Sequence, residues 1–460
     1  MTRADFGRVS AVRALLAIGI FASTILSAQT PASSAASVLP SALVARAGDD
    51  TATSEFTVDG LHVILRRNTA NDVVAANIYL LGGSQQLTPA TQGIEMLLLA
   101  VSERGTKHYP KTQARLRIAR LGSRIVIDPS EDWTVFGLQT IRSAFDSSWA
   151  VFADRLMYPS LDSNEVELVR TQMLGGLQQL RSHPDEDLEI LADSVMFSGH
   201  PYGLSVRGTA PSIAGITLSK LREYQQKQMV TSRMLLVVVG NVDRAGLERQ
   251  IRATLAQLPR GTYQWKPPAE IAPRSRAVVT EQRSLPTNYV LGYYAGPRAG
   301  TKDYHALRVA CAVLSGRFFT EIRSKRNLTY AVDAPFLENA LATGGVYVTT
   351  VSPDVTLGLM RDEIQRLKAE TIEPEGLKRL VQQFITDYFL KNETNADQAN
   401  FLARATVYQG DYRAANRFVE NLRDVTPADV RRVAANYMRD FRFVYLGDVS
   451  RAPKSIMDQF

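Results

Sequence analysis

Globular patterning starts near Phe56 with short β-type runs, and longer apolar runs follow. Glu55–Val58 and Leu61–Arg66 read as β-runs around the turn signal Asp59-Gly60. Val73–Leu81 is a third β-run and stops at Gly82-Gly83. Ile94–Val101 reads as an apolar helix, and Lys111–Leu121 as a second helix capped by Gly122. Strands are expected over Arg124–Ile127 and Trp133–Thr140. Helices are expected around Ala144–Met157, Val166–Leu180, Leu188–Phe197 and Leu218–Met229. Met234–Val239 is purely apolar and ends at Gly240, and Leu247–Leu258 is helical.

Residues 261–276 break the pattern with Lys266-Pro267-Pro268 and Ala272-Pro273, the best linker in the chain. The order of elements then starts over. β-runs at Val278–Glu281 and Tyr289–Tyr294 precede a helix over Tyr304–Leu314. Strands at Tyr330–Ala334 and Val346–Val351 come next, then helices at Val355–Ala369, Glu373–Lys391 and Ala396–Ala405. The two ends match best. A helix, then Met234–Val239, then Gly-Asn-Val-Asp closes the first half; a helix, then Phe441–Leu446, then Gly-Asp-Val-Ser closes the second. Thr426 reads as an N-cap, with Pro427 at the first helical position. Gly240 and Gly447 are 207 residues apart. This is the pattern of a duplicated α+β unit of roughly 200 residues, with lobes at 55–260 and 277–460 and a cleft between them.

At 460 residues the chain is long for one core. Its net charge of +7 is mild, and the basic residues look scattered, with no Lys/Arg block carrying interleaved aromatics. No nucleic-acid partner is therefore expected. Arg3, Arg8 and Arg13 precede the apolar run Ala14–Leu26 and then small residues. That describes a signal peptide over 1–28, with Ala28 and Ala36 both suited to the cut, and a flexible leader over 29–54. The apolar run is too short to span a bilayer comfortably, so no stable membrane insertion is expected after cleavage. Cys311 is the single cysteine and lies in the apolar stretch Val309–Leu314, where it reads as a small hydrophobe. An exported chain without disulfides fits a periplasm.

Several strings carry a family resemblance. They are Gly82-Gly83-Ser84; Gly93 through Gly105-Thr106; Gly199-His200-Pro201-Tyr202-Gly203; and Arg323 through Tyr330. In order and spacing the chain after residue 54 resembles the pitrilysin/insulinase metallopeptidases. The resemblance implies two homologous lobes, each a mainly antiparallel sheet with helices packed on it, closing as a clamshell. It also implies an inverted zinc motif on the helix at Ile94–Val101. There, residues four apart share one face, two His bind zinc and a Glu acts as base. This chain departs at each slot: Met96 and Ala100 stand at the His positions and Leu99 at the base. The later helix offers Gly175, Gly176, Gln178 and Gln179 where a third ligand belongs. No two of the five His are four apart. No metal or cofactor is expected in this chain.

What the resemblance leaves in place is the pair Arg323 and Tyr330. In the family an Arg and a Tyr of the second lobe contact the peptide and the developing oxyanion. Arg326 is a weaker candidate in the same run. His200 and His108 read as structural, Asp185–Asp187 as the solvated start of a helix, and Gly344-Gly345 as a close approach or an ordinary turn. The segment Val73–Leu81 is the candidate edge for a peptide strand. Together these imply a partner subunit. Arg323 and Tyr330 would serve the zinc site of a zinc-bearing homologous subunit in a periplasmic heterodimer that hydrolyses peptides. An inactive scaffold or peptide-binding protein of the same fold is the other reading. A self-sufficient hydrolase lacks any nucleophile motif.

Overall fold

Both faces of the central strands are apolar, and the architecture follows from how those faces are covered. The computed structural model describes residues 52–271 and 276–460; the expected signal peptide, nearly all of the leader and part of the linker lie outside the described residues. The first half runs β1 (Thr53–Val58), β2 (Leu61–Arg67), β3 (Val73–Leu81), α1 (Ile94–Val101), α2 (Gln113–Arg120), β4 (Arg124–Pro129) and β5 (Trp133–Ile141). It continues through α3 (Phe145–Met157), α4 (Ser163–Leu180), α5 (Pro184–Met196), α6 (Ala210–Gly215), α7 (Leu218–Gln228), β6 (Met234–Gly240) and α8 (Arg244–Ala253). β1 begins at Thr53, two residues inside the stretch read as leader. Asp59 and Gly60 both take positive φ, 47° and 89°, and close the β1–β2 hairpin.

The second half runs β7 (Ala277–Gln282), β8 (Asn288–Arg298), α9 (Lys302–Phe318), β9 (Val332–Asp333), β10 (Phe336–Leu337) and β11 (Leu341–Thr350). Then come α10 (Pro353–Ala369), α11 (Pro374–Lys391), α12 (Asn395–Gln409), α13 (Phe418–Arg423), α14 (Pro427–Tyr437), β12 (Arg442–Gly447) and α15 (Lys454–Met457). One sheet has the order β1-β2-β6-β3-β5-β4 and the other β10-β11-β8-β12-β7, with β9 also on β11. The strand order β2-β6-β3-β5 repeats as β7-β12-β8-β11. Among the described residues, the one parallel pair of each half is the corresponding one, β2 with β6 and β7 with β12. The protein is thus a duplicated α+β structure with mainly antiparallel sheets. Gly240 and Gly447 adopt φ of 150° and 148° at the ends of matching strands. A Cβ on Gly240 would lie 2.9 Å from the Val73 carbonyl, and one on Gly447 would collide with Asn288 Oδ1.

Each sheet packs its own helices on one face and a helix of the other half on the opposite face. On β6, Leu236 and Val238 face the first core with Leu97, Leu98, Trp149 and Phe152. Leu235, Val237 and Val239 face the other way, onto Ala399, Leu402 and Ala403 of α12. In exchange, Leu188, Ala192 and Met196 of α5 cover Leu291, Tyr293, Val444 and Leu446 of the second sheet. This explains why Met234–Val239 shows no alternation: a strand buried on both faces reads as a continuous apolar run. Each fully buried Leu of these seams contributes about 1.5–3 kcal/mol.

Polar groups tie the halves as well. Asp132 accepts from Tyr202 Oη (2.6 Å), Tyr408 Oη (2.7 Å) and the Ala340 N–H (2.8 Å). Burial pushes its carboxyl above the usual range, and these hydrogen bonds oppose the shift. On the first sheet, Asn395 Nδ2 donates to the Val73 carbonyl at 2.7 Å. On the second, Asp185 accepts from Tyr347 Oη at 2.5 Å and Asp187 pairs with Arg283 at 2.5 Å. Asp185 and Asp187 therefore anchor α5 to the second sheet; the expectation of a solvated helix start holds for Asp185, which is exposed, and is corrected at Asp187. Asp187 is 3% exposed.

Two further expectations change. The strand expected over Tyr330–Ala334 shrinks to Val332–Asp333. The Thr329 hydroxyl takes the Thr349 carbonyl (2.5 Å), and Pro335, which has no N–H to pair, ends the run. The helix expected over Tyr304–Leu314 runs on to Phe318 and then into a π-helical turn, Phe319–Ser324.

Candidate functional site

α1 starts where Gly93, at φ 79°, turns the chain into the helix. Its inner face, Leu97, Leu98 and Val101, sits in the first core. Arg155 holds the other end, donating to the Leu99 carbonyl (3.3 Å) and Ser102 Oγ (3.2 Å). Burial lowers the Arg155 pKa to about 10. Leu99 is 1% exposed, and Met96 and Ala100 are half-buried. α4 packs beside α1 and brings Met173, Leu174 and Leu177 against the same core. Arg104 Nη2 bonds Gln172 Oε1 at 2.9 Å and fixes the two helices together.

These residues do not fit a zinc ion. Zinc takes imidazole, thiolate or carboxylate donors. Leu99 and Ala100 have none, Met96 has only a thioether, and α4 carries no carboxylate after Glu167. Among the described residues no group of three His, Cys, Asp or Glu is placed to hold a metal. The position of the inverted motif is an apolar surface between two helices.

One feature of this surface is not visible from the motif. Glu95, beside Met96, is 5% exposed and pairs with Arg233, 0% exposed, at 2.6 Å. Tyr224 Oη donates to the same carboxylate at 3.0 Å, and Arg233 Nε donates to the Leu81 carbonyl at 2.7 Å. Burial by itself would lower the Arg233 pKa, and Glu95 outweighs it and raises it. The signal was a single charge inside the apolar run Ile94–Val101, since a buried carboxylate requires a cation.

In the second half, the π-turn carries Arg323 and the loop after it carries Tyr330. Tyr330 is 83% exposed and takes no hydrogen bond among the described residues. The Arg323 guanidinium lies over the Phe319 ring at 5.1 Å and has no ion pair among the described residues. Its neighbours are committed: Lys325 and Arg326 both pair with Glu321, at 2.5 and 2.9 Å. These bonds hold the Glu321 carboxyl below the usual range. Arg326 is thereby distinguished from Arg323. No hydrogen bond or ion pair joins Arg323 to Tyr330, or either to α1 or α4, among the described residues.

The remaining sequence candidates are used in packing. His200 Nδ1 accepts from the Tyr202 N–H (3.2 Å) and Nε2 meets the Ala269 carbonyl (2.9 Å). His108 pairs with buried Asp154 at 2.6 Å. Cys311 is 1% exposed, and burial pushes its thiol up to about 12. That thiol is not a nucleophile at neutral pH. β3 is flanked by β6 and β5, so it is an interior strand and not the edge expected for an added peptide. Gly344 and Gly345 lie inside β11. A Cβ on Gly344 would strike the Tyr294 ring, so the glycine serves a close side-chain approach.

Residues 62–210 match the family model Insulinase (Peptidase family M16), and residues 215–384 match Peptidase M16 inactive domain. Together these segments span more than half of the sequence. The chain belongs to peptidase family M16, as an inactive-type member in which the inverted zinc motif is replaced. It is 22% identical to an uncharacterized zinc protease of Streptomyces coelicolor over 77% of this chain and 80% of the relative. It is 23% identical to the mitochondrial-processing peptidase subunit beta of Blastocladiella emersonii over 86% of this chain and 88% of that one. It is also 22% identical to cytochrome b-c1 complex subunit 1 of Caenorhabditis elegans, over 86% and 88% of the two chains. Among solved structures, a peptidase M16 inactive domain from Pseudomonas fluorescens superposes with a TM-score of 0.78 at 19% identity, covering 86% of this chain and 98% of that one. A protease from Helicobacter pylori also gives 0.78, at 17% identity, covering 86% and 99%. These two define the fold, a clamshell of M16 type.

Proposed function

We propose that this chain is the non-zinc subunit of a periplasmic heterodimeric metallopeptidase. A zinc-bearing homologue is its partner, and Arg323 and Tyr330 serve the partner's site during peptide-bond hydrolysis. The observation that carries this reading is the contrast around Arg323. Lys325 and Arg326 are paired with Glu321, while among the described residues Arg323 takes no ion pair and Tyr330, 83% exposed, has an unbonded phenol. A guanidinium and a phenol left available are the donors an oxyanion requires. Neither one breaks peptide bonds without an activated nucleophile, and the residues of α1 and α4 at the zinc-motif position supply none.

The test is co-expression with a zinc-bearing M16 homologue from the same genome, followed by a peptide-cleavage assay. The chain alone is expected to be inactive, the pair active, and Arg323→Ala and Tyr330→Ala pairs assembled but slow. Full turnover in both variants would sink the trans-acting role. The scaffold reading also has a specific support, because cytochrome b-c1 complex subunit 1 is among the similar proteins. Assembly with wild-type turnover in both variants is the result that selects it.

A further inference from the structure

The basic residues, scattered by composition, are not scattered on the surface. Between Arg104 and Ile127 the chain carries seven Lys and Arg and no Asp or Glu, which equals its whole net charge of +7. Six of them, Lys107, Lys111, Arg115, Arg117, Arg120 and Arg124, are exposed. α2 buries only Ala114 and Ile118 and turns the rest of its surface outward. Among the described residues none of the six takes an ion pair. The flanking carboxylates are committed elsewhere, Glu103 to Arg155 (3.9 Å) and Asp154 to His108 (2.6 Å). Two of the six lie along aromatic rings: Lys107 over Tyr158 (5.5 Å) and Arg117 over Tyr109 (5.6 Å).

The helix dipole accounts for two of these cations. Arg117 and Arg120 lie in the last turn of α2, where positive charge is favoured. It does not account for Lys107, Lys111, Arg115 or Arg124. Unpaired like charges so close repel one another, and folding gains nothing from them. At the centre of the patch Leu116 is 47% exposed.

We propose that this face is a peripheral docking surface for an anionic phospholipid bilayer. Charge complementarity sets the sign of the partner. The side chains set its class: the face is the outer side of a two-turn helix that buries only Ala114 and Ile118, bearing long cations without ion pairs among the described residues. A fluid layer of phosphate headgroups adapts to such a surface, whereas a folded protein partner needs a fitted one. Leu116 gains by entering the headgroup region and gains nothing from a nucleic-acid backbone. The association lies on the membrane and does not span it. No helix among the described residues is long and apolar enough to cross.

The test is flotation of the purified full chain with vesicles of phosphatidylcholine, alone or with roughly one-third phosphatidylglycerol. Each basic residue near an anionic surface strengthens association about fivefold, so Lys111→Glu, Arg115→Glu and Arg120→Glu together lower partitioning by about a hundredfold. A control with Lys378→Glu, Arg379→Glu and Arg431→Glu carries the same change in net charge. It is expected to float like wild type, as is Leu116→Ala within about tenfold. Any contribution of the N-terminal apolar segment is common to all variants, and circular dichroism checks that each is folded. High salt is expected to release the wild type. Equal binding to pure phosphatidylcholine, equal loss in the control, or no loss in the α2 variant overturns the proposal. Tighter retention on double-stranded DNA than on the acidic vesicles at the same salt also overturns it, in favour of a nucleic-acid surface.

Discussion

The two halves have one topology and opposite surface chemistry. In the first, the face of α1 where the family carries its metal ligands is Met96, Leu99 and Ala100, beside an α4 that carries no carboxylate after Glu167. In the second, the segment after α9 keeps Arg323 without an ion pair among the described residues and Tyr330 exposed. Loss of a metal site costs a fold nothing when apolar side chains fill the space, because helices pack well with such a seam. The first half then seals itself further with the buried Glu95–Arg233 pair. An exposed aromatic, and a cation whose one ring contact at Phe319 is weak, give the fold little, so their presence in the second half asks for another explanation, and the proposed trans-acting role supplies one.

The largest effect expected from breaking this contrast is catalytic. In the mixed assembly, Arg323→Ala is expected to lower kcat by about 10²–10³-fold, as for loss of one oxyanion donor. Arg326→Ala, whose side chain is tied to Glu321, is expected to change it less than threefold, or roughly the scatter of a surface variant. Steady-state kinetics on purified pairs separates the two.

Next in size is the sealed first half. Glu95→Ala leaves Arg233 buried and unpaired, and a loss of about 3–5 kcal/mol is expected in urea unfolding. Glu95→Leu combined with Arg233→Met is expected to recover most of that stability. No recovery would mean that the network holds α1 by geometry and not by charge compensation.

The exchanged helices test whether the halves are independent at all. Leu402 of α12 is 0% exposed and packs on the sheet of the other half. Leu402→Ala is expected to cost about 2–4 kcal/mol and to lower a single, shared unfolding transition. Two resolved transitions would show that the sheets fold separately despite the exchange.

The smallest effect is a titration in the second half. His305 is 7% exposed, and burial lowers its pKa from 6.5 to about 4. The fold therefore holds the neutral ring. That contribution is full above pH 6.5 and is lost as pH falls from 6.5 to about 4, by roughly 3 kcal/mol in all. His305→Gln is expected to flatten the stability profile of the protein across that window.

Much of this was legible in the chain. Val73–Leu81 and Ile94–Val101 appear with the bounds their patterns give. The matching Gly240 and Gly447 mark a duplication that the sheet order repeats. Local pattern suffices there, because side-chain period and turn chemistry act within a few residues. The replacement of the zinc motif was also legible, since donor chemistry belongs to residue type. The charge in the apolar run at Glu95 and the acid-free stretch from Arg104 to Ile127 stood in the sequence too, and composition averaged them away.

Other things only the tertiary structure decided. The apolar run Met234–Val239 announced two covered faces, but α12 lies more than a hundred residues away and no local pattern names it as the cover. Asp185 and Asp187 look like an ordinary acidic helix start until α5 is laid across the opposite sheet. β3 passes for an edge strand until β6 and β5 take both its sides. The physical reason is common to all three. A sequence states which surfaces must be buried, through the free energy of apolar area and unpaired charge. Which distant surface buries them is a global choice among packings, made when the whole chain is folded.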